Sequence, residues 1–186
     1  LSKSLSFAHD IVNDVKEAID SLDETRIKKM VSVLHDAKKY NRKVFVMGEG
    51  PSGLVARALA MRLAELSYNV FVIGETITSA VEKGDVFIVI TATGRTPLVL
   101  EAAKIAKEKV GAKIIGVTAS EDSPIGKLAD PLLAVKTKSN ETDDEDIYLS
   151  TQLTGSYASS ERTIFQIATS CILEAIVAEL ASAQAK

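Results

Sequence analysis

The chain has 186 residues, 46% of them hydrophobic, with 22 basic side chains against 25 acidic ones and a formal charge of -3. That composition supplies one sizeable core and not two, so a single domain spanning residues 1–186 is expected. The mild acidity, with no basic stripe and no interleaved aromatics, argues against a nucleic-acid partner, and the lone Cys171 leaves no internal disulfide to form.

In chain order, residues 4–21 read as a short helix, and "LDETRIKKMVSVLHDAKKY" as a second, with Ile27, Met30, Val31, Leu34 and Ala37 at helical spacing and Asp23 placed to cap it. Together these make an N-terminal helical region over 4–40. The only two histidines, His9 and His35, fall on these helices and read as surface or packing residues. Four short runs rich in β-branched residues follow: Lys43 to Met47, Asn69 to Ile73, Asp85 to Ile90 and Ala112 to Val117. Each is almost continuously apolar, as strands buried on both faces of a parallel sheet are. Helices are expected at 53–67 and 96–109, with a shorter helical segment at 77–83, and a fifth strand at Leu132 to Val135 follows a "DSP" turn and a brief helix. The stretch "KTKSNETDDED" reads as a solvated loop. From Ser160 to about residue 183 a closing helix carries Ile164, Ile167, Ala168, Cys171, Ala175 and Ala178 as one apolar stripe, widened by Phe165, Ile172 and Ile176. On that stripe Cys171 reads as a buried small hydrophobe. The alternation of strand and helix over the core, residues 43–136, implies right-handed crossovers and an α/β, doubly wound, five-stranded parallel sheet flanked by helices. The N-terminal stretch is polar with no signal-peptide core, and no run of about eighteen apolar residues is present. A cytoplasmic protein without a membrane partner is the expectation.

Ligands of such sheets bind beyond the carboxyl ends of the strands, where adjacent connections diverge to opposite faces. Two loops fall there. The first, Gly48 to Gly53, follows the G-x-G-x-x-G pattern, with Glu75 about twenty residues on as a dinucleotide site would have it. Pro51, however, removes an amide that a pyrophosphate would use, and the chain is too short for a second substrate domain. The second loop, "TATGRT", comprises Thr91, Ala92, Thr93, Gly94, Arg95 and Thr96. Its three hydroxyls, its glycine and the helix it opens form a cradle for a phosphate monoester, to which Ser52 adds a hydroxyl from the first loop. The combination points to a small phosphorylated ligand.

The stretches "GEGPSGLVARALAMRL", "GETITS" and "TATGRT", with the helical N-terminal region and the long closing helix, resemble the sugar isomerase (SIS) domain family, and within it the archaeal and bacterial 6-phospho-3-hexuloisomerases. The similarity spans essentially the whole chain, and "GETITS" and the run containing Arg57 and Arg62 are its more specific parts. The resemblance implies a flavodoxin-like three-layer sandwich, a homotetramer, no metal and no organic cofactor. It also implies interconversion of D-arabino-hex-3-ulose 6-phosphate with fructose 6-phosphate. Ser52 and residues 91–96 carry over as positions that bind the phosphosugar.

Departures from the family pattern concern charge and proton transfer. Pro51 stands where the family has an arginine in G-x-G-R-S-G, and Thr91-Ala92-Thr93 replaces Ser-Gly-Ser. In the closing helix the family's catalytic glutamate aligns with Gln166, which cannot take a proton, and the family's C-terminal histidine is absent. Glu161 and Glu75 are the remaining candidates for the base. An isomerase working through an enediol is the leading expectation; a non-catalytic phosphosugar-binding or regulatory module is the alternative.

Overall fold

The computed structural model describes residues 2–138, 153–155 and 160–184, the last segment without the side chains of residues 160–162 and 184. Most of "KTKSNETDDED" therefore lies outside the described residues. Two helices open the chain, α1 (Lys3–Asp20) and α2 (Glu24–Lys39). Asp23 caps α2 as its position suggests, its Oδ1 accepting the Thr25 N–H at 2.8 Å. Both histidines lie exposed on these helices.

The five strands are β1 (Val44–Met47), β2 (Val70–Val72), β3 (Val86–Ile90), β4 (Lys113–Thr118) and β5 (Leu132–Ala134). They form one all-parallel sheet in the order β2-β1-β3-β4-β5. Alternate side chains feed two separate cores, which explains why the strands read as continuous apolar runs. On one face Val44, Val46, Val86, Ile88, Ile90, Ile115 and Val117 pack under α1, α2, α3 (Gly50–Glu65) and the closing helix α6 (Ser160–Gln184). On the other, Phe45, Met47, Phe87, Val89 and Ile114 pack under α4 (Pro97–Lys104), its π-helical continuation Ile105–Val110, and α5 (Pro124–Leu128). Register puts Phe45 beside both Phe71 and Phe87, and the Phe45 and Phe71 rings stack at 5.3 Å. Truncating the fully buried Phe45 to alanine would cost about 3–5 kcal/mol.

Four sequence expectations are corrected. Residues 77–83 form no helix: the β2–β3 connection runs in bends and extended chain between Gly74 (φ +99°) and Gly84 (φ +86°). Seven residues with neighbouring β-branched Ile77 and Thr78 are too few to sustain a helix alone. Tertiary bonds hold the segment instead, with Lys43 Nζ donating to the Ala80 carbonyl at 2.7 Å and to Glu82 Oε1 at 2.8 Å. Beneath it the buried Asp85 accepts the Lys43 N–H at 3.0 Å and the Glu82 N–H at 2.8 Å. Second, α3 starts at Gly50 rather than residue 53, because Pro51 has its φ preset for a first helical turn.

The third correction splits the α6 stripe. Ile164, Phe165, Ala168, Ile172, Leu173, Ile176, Val177 and Leu180 are buried, whereas Ile167, Cys171, Ala175 and Ala178 are exposed. Cys171 is thus an outward thiol and not a core residue, since α6 is apolar on more than one side and its bulkier side took the core. Fourth, Thr163–Ala183 is long and apolar enough to cross a membrane by length and composition. Half of that stretch is buried inside the fold, as in a core helix.

Candidate functional site

Because α3 leaves β1 for one face and α4 leaves β3 for the other, the neighbouring strands β1 and β3 end in a crevice at a topological switch point. Both glycine loops are there. They touch: a Cβ on Gly48 would lie 2.7 Å from the Ser52 carbonyl and 2.9 Å from the Ile90 carbonyl, so only glycine lets the first loop press against the end of β3. Gly53 is likewise held against the Gly48 carbonyl, 2.8 Å from where its Cβ would be.

The second loop is braced from within. Thr91, 2% exposed, bonds its hydroxyl to the Thr96 hydroxyl at 2.8 Å and accepts the Gly94 N–H at 3.2 Å. Thr93 Oγ1 accepts the Arg95 N–H at 3.2 Å, and the Ala92 carbonyl receives the Thr118 hydroxyl at 3.1 Å and the Ala119 N–H at 3.0 Å. Gly94 has φ +66° and lies so close to the cap of α5 that a Cβ would fall 2.0 Å from Ser123 Oγ. Ser123 is itself fixed, donating to the Ser120 carbonyl at 2.7 Å and accepting the Gly126 N–H at 3.1 Å. The Ala92, Thr93 and Thr96 N–H groups make no hydrogen bond to other described residues, and no side chain caps α4. This loop therefore presents unsatisfied amides and the half-buried Thr93 hydroxyl to an anion. Thr91 and Thr96 bind each other, whereas the Thr93 hydroxyl accepts only the Arg95 N–H, which makes Thr93 the candidate among the three threonines for a ligand.

In the first loop, Ser52 is half-buried and its hydroxyl has no hydrogen-bond partner among the described residues. Glu75, at the end of β2, binds Arg57 of α3, with Nε to Oε1 at 2.9 Å and both side chains about half exposed. An Arg57 terminal nitrogen lies 3.5 Å from where a Gly53 Cβ would be, so the guanidinium sits over the first turn of α3 beside the loop. Gln166 is half-buried near the start of α6. Glu174, eight residues on, bonds Arg62 of α3 at 3.0 Å. Ile164, two residues before Gln166, lines a cleft with Lys136 and Lys138 beyond the end of β5, so Gln166 lies toward the carboxyl end of the sheet. The side chain of Glu161 lies outside the described residues.

Sequence reasoning passed over Glu49, the N-cap residue of α3, half-buried in the crevice with no cap hydrogen bond. Its place inside G-x-G-x-x-G was the available signal. A search for phosphate donors looks past a carboxylate, which has the wrong sign. Elsewhere, an open cleft of about 390 Å³ between α2 and the α5–β5 edge is lined by Arg26, Lys29, Glu121 and Asp130. Its charges are already paired, Arg26 with Glu121 at 2.9 Å and Lys29 with Asp130 at 2.5 Å. Lys136 and Arg26 together hold the Glu121 carboxyl below the usual carboxylate range.

The fold has counterparts among known proteins. The SIS domain family model matches residues 39–159, which contain both loops and the whole sheet. A 3-hexulose-6-phosphate isomerase of Mycobacterium gastri is 36% identical over 150 residues, 79% of this chain and 74% of its own. An uncharacterised protein of Aeropyrum pernix is 37% identical over 174 residues, 91% of this chain and 78% of its own. Among solved structures, a Methanococcus jannaschii protein for which 3-hexulose-6-phosphate isomerase activity was inferred superposes with a TM-score of 0.72 at 25% identity, covering 93% of this chain and 90% of that one.

Proposed function

The chain belongs to the SIS domain family, and from that premise we propose that it is a phosphosugar isomerase that interconverts D-arabino-hex-3-ulose 6-phosphate and fructose 6-phosphate through an enediol. The observation that carries this reading is the β1–β3 crevice, where a braced loop faces a second one, and the amides of the first and the Ser52 hydroxyl of the second have no partner among the described residues. The Ala92, Thr93 and Thr96 amides and the Thr93 hydroxyl hold the phosphate, and Ser52 binds it from the opposite side. Hydrogen bonds to such a charged group contribute about 1.5–3 kcal/mol each. A relative of 36% identity that bears the isomerase name supports the sugar assignment. The test is direct: purified protein is mixed with hexulose 6-phosphate and fructose 6-phosphate is followed by a coupled assay. Turnover is expected, and its absence in a protein that binds the sugar phosphate overturns the reading.

One observation favours a second reading, a phosphosugar-binding or regulatory module without catalysis. Gln166 stands where the family pattern has its acid. Under that reading calorimetry shows binding of fructose 6-phosphate with no isomerisation. A homotetramer belongs to the first reading, supported by exposed apolar residues on α1 (Leu5, Phe7, Val12) and α6 (Ile167). Light scattering tests it, and a clean monomer at micromolar concentration excludes it.

A further inference from the structure

An isomerisation through an enediol needs one group that removes a proton from carbon and returns it to the neighbouring carbon. Hydroxyls and amides cannot do this near neutral pH, which rules out Ser52, Thr93 and Gln166. Carboxylates at the carboxyl end of the sheet divide by their partners. Glu121, beyond β4, is tied to Arg26 at 2.9 Å and Lys136 at 3.1 Å. Glu75, beyond the edge strand β2, is tied to Arg57. Glu49 differs in both place and bonding. It directly follows Gly48, the residue pressed between the Ser52 and Ile90 carbonyls, so its backbone is fixed at the mouth of the β1–β3 crevice. Its side chain is half-buried, does not cap α3 and has no ion pair among the described residues.

We infer that Glu49 is the proton-carrying catalytic residue, taking the place that Gln166 cannot fill. The inference rests on the isomerase reading above. With the phosphate on the 91–96 loop, the carbon chain of the sugar runs toward the first loop. There the Glu49 carboxylate removes the proton from C2 of the 3-ketose, the C–H electron pair forms the C2=C3 bond, and the C3 carbonyl oxygen takes up a proton from water. Loss of the C2 hydroxyl proton to water then forms the C2 carbonyl, the C2=C3 electron pair takes the proton from Glu49 at C3, and Glu49 is again a carboxylate. No oxidant, reductant or metal enters the balance. The Glu49 carboxylate also repels phosphate from its own end of the first loop, which leaves the 91–96 loop as the main anion site with Ser52 adding one hydroxyl.

The test compares wild type, Glu49→Gln and Glu49→Asp in deuterium oxide with fructose 6-phosphate as the probe, following deuterium entry at the carbons beside the carbonyl by NMR and affinity by calorimetry. Expected are an exchange rate about 10²–10⁴-fold lower in Glu49→Gln, with affinity within a few-fold of wild type, and partial exchange in Glu49→Asp, which keeps the carboxylate on a shorter arm. Glu49→Gln exchanging within three-fold of wild type, roughly the smallest change worth calling an effect against that range, overturns the assignment alone and leaves the isomerase reading standing. A wild type that binds the probe and exchanges no deuterium overturns both. Glu49→Asp as inactive as Glu49→Gln, with wild-type circular dichroism and affinity, also counts against a proton carrier at this position.

Discussion

The two loops that meet in the crevice are alike in sequence, short, glycine-containing and hydroxyl-bearing, and unlike in what their polar groups do. In the 91–96 loop side chains bond to the loop itself, so that Thr91, Thr96 and Gly94 form a shape that leaves the Ala92, Thr93 and Thr96 amides without a bond to other described residues. In the 48–53 loop glycines set the shape through backbone contact, and the side chains of Ser52 and Glu49 have no hydrogen-bond or ion-pair partner among the described residues. Loops drawn from the same few residue types can therefore close on themselves, as three threonines and one glycine do, or leave side chains open, as three glycines and one serine do. Which one arises is decided by burial: Thr91 is 2% exposed and must find partners, while Ser52 reaches solvent and need not.

The largest expected effect comes from breaking the rigid loop. Gly94→Ala combines a left-handed backbone with a Cβ overlapping Ser123, a loss of about 2–5 kcal/mol of stability that thermal or urea unfolding would show. A variant as stable as wild type would mean that the loop is not held by that contact. Substitutions on the two sides should then separate stability from affinity. Ser52→Ala should weaken sugar phosphate binding by about 1.5–3 kcal/mol and leave the unfolding midpoint nearly unchanged. Thr91→Val should instead lower stability by about 1–3 kcal/mol, because it removes the partner of the Thr96 hydroxyl and leaves the Gly94 N–H only its 3.3 Å bond to the residue-91 carbonyl, with affinity falling as a consequence. If both variants lost affinity at constant stability, the contrast between the loops would collapse.

The smallest effect lies outside the crevice and serves as a control. Glu121 has its carboxyl lowered from 4.5, first by the hydrogen bond with Lys136 and then by the one with Arg26. A depressed folded value contributes stability above the unfolded value of 4.5, and that contribution is lost as pH falls through the folded one. Glu121 is about one-third exposed, so solvent screening keeps the contribution under about 1 kcal/mol. Glu121→Gln should thus be slightly less stable than wild type at pH 7 and indistinguishable from it in acid, with sugar phosphate affinity unaltered.

Much of this arrangement was legible in the residues. Continuous apolar strands such as "VFVM" and "VFIVI" announce burial on both faces, and burial on both faces dictates parallel pairing, the two helix layers and so the switch point. What could not be read was how polar atoms choose partners across the fold. Thr91 and Thr93 are chemically the same in the string "TATGRT", and only the sheet makes one inward and the other half-exposed. Arg57 and Glu75, eighteen positions apart, meet because α3 and β2 fold back on one another. The missing helix at 77–83 has the same origin. Its local propensity was weak, and Lys43, far away in sequence, offered the segment better bonds than its own backbone could.

That helixless crossover gives the molecule a seam of unequal cooperativity. A connection without its own ladder of backbone bonds protects few of its amides, and the strand it serves, β2, is three residues long and lies at the sheet edge. Native-state hydrogen exchange should resolve a sub-global opening in which residues 70–85 detach while β1, β3, β4 and the helices over them stay closed. Because Glu75 follows β2, each such opening releases Arg57 from its partner beside the first loop. A bound ligand that closes the crevice would slow exchange at the edge of the sheet before it slowed exchange at the centre.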